Sequence, residues 1–353
     1  MTHAHRAPIH CILPPYILEV IEMRGDEKLR RMAKRMQKDA DAVRQARAAA
    51  APETAFRGTP AFVGPTPAMP HREVYDGQYK RTLPGKLVRA EGDPPVRSKL
   101  VNKVYDLTGK VFEFYIKEFK RNSIDGQGMT IISTVHYGRG YRNAFWTGEQ
   151  MVFGDGDNQL FKTFVDLSII GHELTHGVVQ FSGGLIYQDQ AGAINESLAD
   201  VFGVMVVQYA KKQTVSEASW LVGEEIFTPE VNGHALRSLR APGMAFDDDI
   251  LGKDPQPYHM DFYVNTYTDY GGVHINSGIP NHAFYLLAQY LGGYSWTKAG
   301  QIWYQAMQTL QNPRATFADW ADTTVETAWR LFGAGSFEVA MTRRAWKLVG
   351  IHI

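Results

Sequence analysis

Cysteine is nearly missing from this chain: Cys11 is the only one among 353 residues. An internal disulfide is therefore impossible, and the fold must be held by packing, by metal ions or by both. A surplus of either charge is missing too. Lys and Arg number 37, Asp and Glu number 37, and the formal net charge is zero, so nothing electrostatic points to nucleic acid or an anionic membrane as partner. No apolar run approaches the roughly 20 residues that span a bilayer. The opening "MTHAHRAPIHCILPPYILEV" does not read as a secretory leader, because Pro14-Pro15 break its apolar stretch and no small-residue cleavage site follows. Cytoplasmic synthesis is the expectation, with any export taking a non-standard route. No internal repeat is present.

What is there is a chain that is 44% hydrophobic, enough for a large core and for two folded units with an appendage. Residues 1–50 hold 10 Lys and Arg against 6 Asp and Glu, a net of +4, so the remainder carries −4; the two parts are expected to attract each other. From Asp26 on, Leu29, Met32, Met36 and Val43 recur at helical spacing between charges, which predicts an amphipathic helix. Residues 51–72, rich in Pro, Ala, Gly and Thr, read as an exposed linker with a cleavable look. From about Val74, runs such as "KLVRAEG", "MTIISTVHYG" and "QMVFGDGD" predict a strand-rich unit. "LFKTFVDLSIIGHELTHGVVQFSG" then predicts one long helix ending at Gly183-Gly184. Beyond Asn195 helices dominate, with Ile302, Trp303, Ala306, Met307 and Leu310 on one face before Asn312-Pro313.

Inside that long helix lies "GHELTHGV", residues 171–178. About two chains in a hundred of this length and composition would carry His-Glu-x-x-His by accident, so the octet alone decides little. A helix of 3.6 residues per turn nonetheless places His172 and His176 on one face, able to share one metal, with Glu173 pointing beside it. A catalytic zinc needs a third protein ligand. "AGAINESLAD" offers Glu196, twenty positions after His176, and one turn later Asp200, which can accept a ligand histidine's other ring N–H. The plainer alternative makes the histidines satisfied core residues and Glu196 a surface charge.

"HELTH" and "GAINESLADVFG", preceded by "NAFWTGEQMVFGDGD" and followed by "DYGGVHINSG", resemble the thermolysin family of zinc endopeptidases. The likeness runs in order over residues 73–353, and "HCILPPYILE" resembles the short precursor segment of the protealysin branch. The resemblance implies an α+β fold: a strand-rich N-terminal domain at 73–184 and a mainly helical C-terminal domain at 185–353, with the zinc helix in the cleft between them. It implies one catalytic Zn²⁺, hydrolysis of peptide and protein substrates, and residues 1–50 as an intramolecular inhibitor of a latent precursor. Glu173 would take the water's proton, His274 and Tyr187 would donate to the oxyanion, and Asp269 would orient His274. Asn143, Ala144 and Arg237 would hold the substrate backbone. Ile169, Val222, Ile226 and Leu236 would form an apolar pocket, so cleavage on the amino side of bulky apolar residues is expected.

One departure concerns calcium. The positions matching the family's double calcium site are Ser168, Val207, Ser219, Leu221 and Glu224, of which four cannot supply a carboxylate, so that site is expected to be absent and Val207 and Leu221 to be buried instead. Asp155 and Asp157 in "GDGDN" fit a cation or, more simply, a turn. Cys11 fits a small buried apolar residue better than a zinc-blocking thiolate. A zinc aminopeptidase and a non-catalytic zinc-binding interaction module are the alternatives. The first lacks its amine-binding acidic motif here, and the second has no use for Glu173, Tyr187 and His274.

Overall fold

The computed structural model describes residues 10–49 and 69–353; most of the expected linker, with its cleavage site, lies outside the described residues. A two-residue strand β1 (His10–Cys11) is followed by α1 (Pro15–Arg24) and α2 (Glu27–Ala49). Next come β2 (Arg72–Asp76), β3 (Lys86–Ala90), α3 (Lys99–Phe119), β4 (Ile131–Val135), β5 (Ala144–Trp146) and β6 (Gln150–Phe153). Among the described residues these six strands form one sheet in the order β1-β5-β6-β4-β2-β3. The β2–β4 and β4–β6 pairs are parallel and the others antiparallel. The three runs read as strands fall on β3, β4 and β6. The strand-rich expectation leaves out α3, a 21-residue helix capped by the Ser98 side chain and burying Val101, Val104, Tyr105, Val111, Phe112, Tyr115 and Phe119. Parallel neighbours such as β2 and β4 need a crossover, and α3 lies within it.

The long helix is shorter than its apolar run. α4 spans Leu167–Gln180, started by Asp166, whose side chain accepts from the amides of Ser168 and Ile169, and closed at Phe181. The preceding "LFKTFV" is irregular chain that buries Leu160, Phe161, Phe164 and Val165, with Phe161 bridged to Phe227. A continuous apolar run marks burial and cannot tell helix from packed loop. α5 (Asp189–Lys211), the hairpin β7 (Leu221–Val222) and β8 (Arg237–Ser238), α6 (Asp269–Asn276), α7 (Gly278–Leu291), α8 (Ala299–Thr309), α9 (Phe317–Phe332) and α10 (Phe337–Leu348) complete a mainly helical second half. Its core is built on Trp303, whose ring stacks on Trp346 and meets Trp320 edge-on. The fold is the expected α+β arrangement, with α4 buried beneath the cleft between sheet and helices.

α4 and α5 touch backbone to backbone. A Cβ on Gly203 would sit 2.5 Å from the Ser168 carbonyl oxygen, and one on Gly171 would sit 2.9 Å from the Gly203 Cα. Glycine at the crossing, more than any large side chain, sets the helix separation and so the distance from His172 to Glu196. Gly203→Ala should therefore cost about 1–3 kcal/mol by overpacking. A melting temperature lower by several degrees, with a disturbed spacing of His172 and Glu196, is the expected result; an unchanged melting curve would show that the crossing tolerates a wider spacing.

Residues 11–36 pack on the rest of the chain through Ile12, Leu13, Ile17, Leu18, Ile21, Leu29, Met32 and Met36, all buried. Leu29, Met32 and Met36 are the stripe expected on α2; the side chain of Val43 lies outside the described residues. The described residues leave the expected mutual attraction of opposite charges untested. The ion pairs Arg31–Glu27 and Lys34–Glu22 both stay inside the segment, and apolar burial carries the docking.

Candidate metal centre and peptide cleft

His172 and His176 sit one turn apart on α4, fully buried, with their Nε2 atoms 2.9 Å from each other. Each ring is fixed from behind. His172 Nδ1 lies 2.8 Å from Asp200 Oδ1, and His176 Nδ1 lies 2.9 Å from Asn195 Oδ1, so the Nδ1–H groups donate outward and the Nε2 lone pairs converge. Glu196 of α5 faces them, its oxygens 3.6 Å from His172 Nε2 and 3.4 Å from His176 Nε2. These are the one group of three or more potential ligands among the described residues. Two unprotonated imidazole nitrogens and a carboxylate oxygen that lacks a hydrogen-bond partner are acceptors turned on each other. Buried together they fit a divalent cation of borderline softness held by two His and one Glu, which is the donor set of a catalytic zinc.

Asp200 does more than hold His172. It receives Arg237 through both oxygens at 2.8 Å and the Asn281 amide at 2.9 Å. Burial opposes its charge, but Arg237 and His172 outweigh burial and hold its carboxyl well below the usual range. Arg237 is correspondingly raised, its own burial overcome by Asp200. Glu173 is fully buried. Burial first and Glu196 next push its pKa well above the usual carboxylate range, only partly offset by Arg237 and by the backbone amides of Trp146 and Ile12.

Across the cleft, α6 opens with four consecutive left-handed residues, Asp269, Tyr270, Gly271 and Gly272. Two of them carry side chains, a strained turn of the kind retained where position matters. It folds Asp269 back so that its carboxylate accepts from the His274 backbone amide at 2.9 Å and from His274 Nδ1 at 2.6 Å. Burial opposes a charge on His274, but Asp269 and then Glu196 raise its pKa to about 9. Tyr187 donates to Glu196 and lies 3.2 Å from His274 Nε2. Burial, Glu196 and Asp269 raise its pKa, keeping it a neutral donor.

Residues 11–13 lie in this cleft as an added strand. β1 pairs antiparallel with β5, Cys11 opposite Phe145, and the Ile12 amide donates to the Ala144 carbonyl at 3.0 Å. The Asn143 side chain accepts from the Leu13 amide at 2.9 Å and donates to its carbonyl at 3.4 Å. Arg237 donates to the Ile12 carbonyl at 3.1 Å, and His274 Nε2 donates to the Cys11 carbonyl at 3.0 Å. Four residues assigned from sequence to substrate or oxyanion are thus brought together on one stretch of backbone. The Cys11 side chain packs with Tyr137, Tyr141, Phe145 and Val152 and is not in the metal-ligand group. Ile169, Val222, Ile226 and Leu236 are all buried; the Leu236 amide donates to the Val222 carbonyl, and Ile226 and Leu236 both come within 3.4 Å of a Cβ placed on Gly223.

The calcium-position residues are handled differently from expectation. Ser168 hydroxyl donates to Asp166 and accepts the Gly223 amide, and Ser219 hydroxyl donates to Glu224. Val207 and Leu221, however, are only half-buried: Val207 is flanked on α5 by the buried Val206 and Gln208, and Leu221 opens the short strand β7 ahead of the buried Val222. Asp155 and Asp157 form a turn: Asp157 accepts the amides of Gln159, Leu160 and Phe161 and pairs with Arg142, and Asp155 binds His136. Sequence reasoning missed Asn195 and Asn281. Asn195 stands directly before Glu196 and was findable; Asn281, 81 positions from Asp200, carried no local signal.

Comparison with known proteins agrees with this geometry. Residues 73–180 match the family model described as thermolysin metallopeptidase, catalytic domain, and residues 183–351 match thermolysin metallopeptidase, alpha-helical domain. The chain is 44% identical over 349 residues to an extracellular metalloprotease of Pectobacterium carotovorum subsp. carotovorum, covering 98% of this chain and 97% of that one. It is 48% identical over 287 residues to protease PrtS of Photorhabdus sp. (strain Az29), covering 80% and 77%. A solved structure titled precursor of protealysin, a metalloproteinase from Serratia proteamaculans, superposes with a TM-score of 0.86 at 43% identity, covering 97% of this chain and 99% of that one.

Proposed function

The chain belongs to the thermolysin family of metallopeptidases, and from that premise we propose that it is a zinc endopeptidase made as a latent precursor, which cuts on the amino side of bulky apolar residues. One observation carries the reading: residues 11–13 lie antiparallel on β5 as an extended peptide would, their backbone held by Asn143, Ala144, Arg237 and His274 beside the converged His172–His176–Glu196 set.

His172, His176 and Glu196 would hold zinc, and bound zinc supplies Lewis acidity toward water and the scissile carbonyl. The rest is the work of this chain's own groups. Asn143, the Ala144 carbonyl and Arg237 align the substrate backbone, fixing which carbonyl faces the ligand set. Glu173 accepts the proton of the attacking water and passes it to the leaving amine; its buried position supports a carboxylate able to hold that proton near neutral pH. His274, oriented by Asp269, and Tyr187 donate hydrogen bonds to the developing oxyanion. In the docked precursor these two donors face the Cys11 carbonyl and Glu196 instead. Ile169, Val222, Ile226 and Leu236 offer only apolar surface to the residue after the cut, which supports selection of Leu, Ile, Val or Phe.

Residues 1–50 would be the inhibitory segment, 51–72 the cleaved linker, 73–184 the N-terminal catalytic domain and 185–353 the helical domain. Action outside the cell, as the name of the Pectobacterium relative has it, fits a protease kept latent during synthesis. Incubating the purified full-length chain with casein and sequencing both the products and any new enzyme N-terminus tests activity, specificity and activation together. Cleavage of an amino-blocked peptide separates this reading from an aminopeptidase, which would leave it intact.

The double calcium site is proposed to be absent, since Ser168 and Ser219 are committed to hydrogen bonds and only Glu224 remains as a carboxylate among the five positions. Thermal inactivation should respond to a zinc-selective chelator and not to a calcium-selective one. A melting temperature lowered by more than about 10 °C on calcium removal alone would reveal a site elsewhere that holds the fold.

A further inference from the structure

One peptide bond of the docked segment, between Cys11 and Ile12, meets the cleft differently from its neighbours. Its carbonyl oxygen accepts from His274 Nε2 at 3.0 Å, with the Tyr187 hydroxyl 3.2 Å from the same nitrogen. Its N–H donates to the Ala144 carbonyl at 3.0 Å and lies close enough to Glu173 to help hold its charge. The next carbonyl, of Ile12, receives Arg237 at 3.1 Å, and the next amide, of Leu13, donates to Asn143 at 2.9 Å. The proposed oxyanion donor thus faces the carbonyl, and the proposed proton carrier the nitrogen, of one and the same bond. A frame shifted by one residue fails, because the Ile12 carbonyl meets Arg237. The side chains agree with this register. Successive strand residues face opposite ways, so Cys11 packs with Tyr137 and Phe145 while the fully buried Ile12 joins the apolar core that includes Ile169, Val222, Ile226 and Leu236. The residue after the bond is therefore of the bulky apolar kind that those four side chains are proposed to select.

We propose that Cys11–Ile12 is a substrate bond of the chain's own cleft, hydrolysed within the same molecule and distinct from the bond cut in the linker. The inference rests on the peptidase reading and adds to it which bond is taken and by which molecule. The water oxygen bonds to the Cys11 carbonyl carbon, the carbon–nitrogen bond to Ile12 breaks, and the proton accepted by Glu173 passes to the Ile12 nitrogen, leaving a Cys11 carboxyl and an Ile12 amino group. The step gains from proximity, because the bond is tethered and aligned before water attacks. It frees residues 1–11 without ending latency. The chain from Ile12 on stays joined through the linker and docked through Ile17, Leu18, Ile21, Leu29 and Met32, all buried.

The chain holds one cysteine, so carbon-13 in cysteine carbonyls and nitrogen-15 in isoleucine join two labels at this bond alone. On zinc addition to the full-length chain, the one-bond coupling between the labels should disappear as the amide carbonyl becomes a carboxyl, and N-terminal sequencing should find a chain that starts at Ile12. The rate constant should stay the same over a roughly hundredfold dilution, because a tethered bond has a fixed effective concentration. Glu173→Ala should keep the coupling. In that background His274→Ala should move the Cys11 carbonyl resonance, which reads the register without turnover. Ile12→Asp should lose the cut and Ile12→Val keep it, with casein hydrolysis by the linker-cut enzyme unchanged in both. An intact coupling in a chain that cleaves casein or its own linker overturns the inference. So does a rate constant that rises with concentration, or a carbonyl resonance unmoved by His274→Ala. A zinc-loaded chain that cuts neither casein nor itself counts against the peptidase reading, and the inference falls with it.

Discussion

Glu173→Ala should retain stoichiometric zinc and lose peptidase activity by about 10²–10⁴-fold, the range that a positioned general base contributes. The side chain is outside the ligand set, which is formed by His172, His176 and Glu196, and the outward donors that fix the histidines are Asp200 and Asn195, so truncation leaves the metal's support intact. What it removes is a buried carboxylate whose pKa is raised by burial and by Glu196. The loss corresponds to about 2.7–5.5 kcal/mol of transition-state stabilisation. Metal analysis and a peptide assay on the same preparation measure both halves. Residual activity above about a tenth of wild type would sink the mechanism, and loss of zinc would move Glu173 into the structural support of the site.

The full-length chain should be inactive until it is cleaved, and the active species should begin near residues 51–70. Residues 11–13 occupy Asn143, Ala144, Arg237 and His274 at once, so no substrate can use them while the segment is docked. Ile12, Leu13, Ile17, Leu18 and Ile21 are all buried, each worth roughly 1.5–3 kcal/mol relative to exposure, and much of that sum offsets the ordering of the segment. Tethering supplies the remaining advantage, because an attached segment rebinds at high effective concentration. Cleavage in the linker removes it, and activity should then rise by about 10²-fold or more. Mass spectrometry of the active enzyme and a time course of peptide hydrolysis give the two readouts. Full activity from an intact chain rules latency out. Cys11→Ser should remain latent, because Cys11 contributes its backbone carbonyl to His274 while its side chain packs against Phe145 and its neighbours; premature activity in that variant would instead favour a thiolate at the metal.

Local spacing was enough to pair up the candidate metal ligands. His172 and His176 are one turn apart in any helix, and Glu196 and Asp200 keep the same relation on the next, so the pairs were legible before their helices were placed. The amphipathic stripe of α2 and the face of α8 were legible for the same reason, since periodicity reports which side of a helix is covered. The α+β class and the roles proposed for Tyr187, Asp269, His274, Asn143 and Arg237 came from the order of long motifs rather than from periodicity, because a lone Tyr or Arg carries no signal of what it will face.

Tertiary structure decided what spacing cannot express. Whether "LFKTFV" is helix or buried loop depends on Asp166 finding two amides to cap and on Phe161 meeting Phe227, and an apolar run is equally compatible with both. Val207 and Leu221 are half-buried, and the close approach of α4 to α5 is made instead at Gly171 and Gly203, a distance set by atoms that the glycines lack. Asn281 reaches Asp200 across 81 positions. Among the described residues the N-terminal segment docks through apolar burial, although its net charge is opposite to that of the rest of the chain. Net charge follows from composition and periodicity from the order of residues, but which groups face each other across a contact is fixed only when distant segments pack.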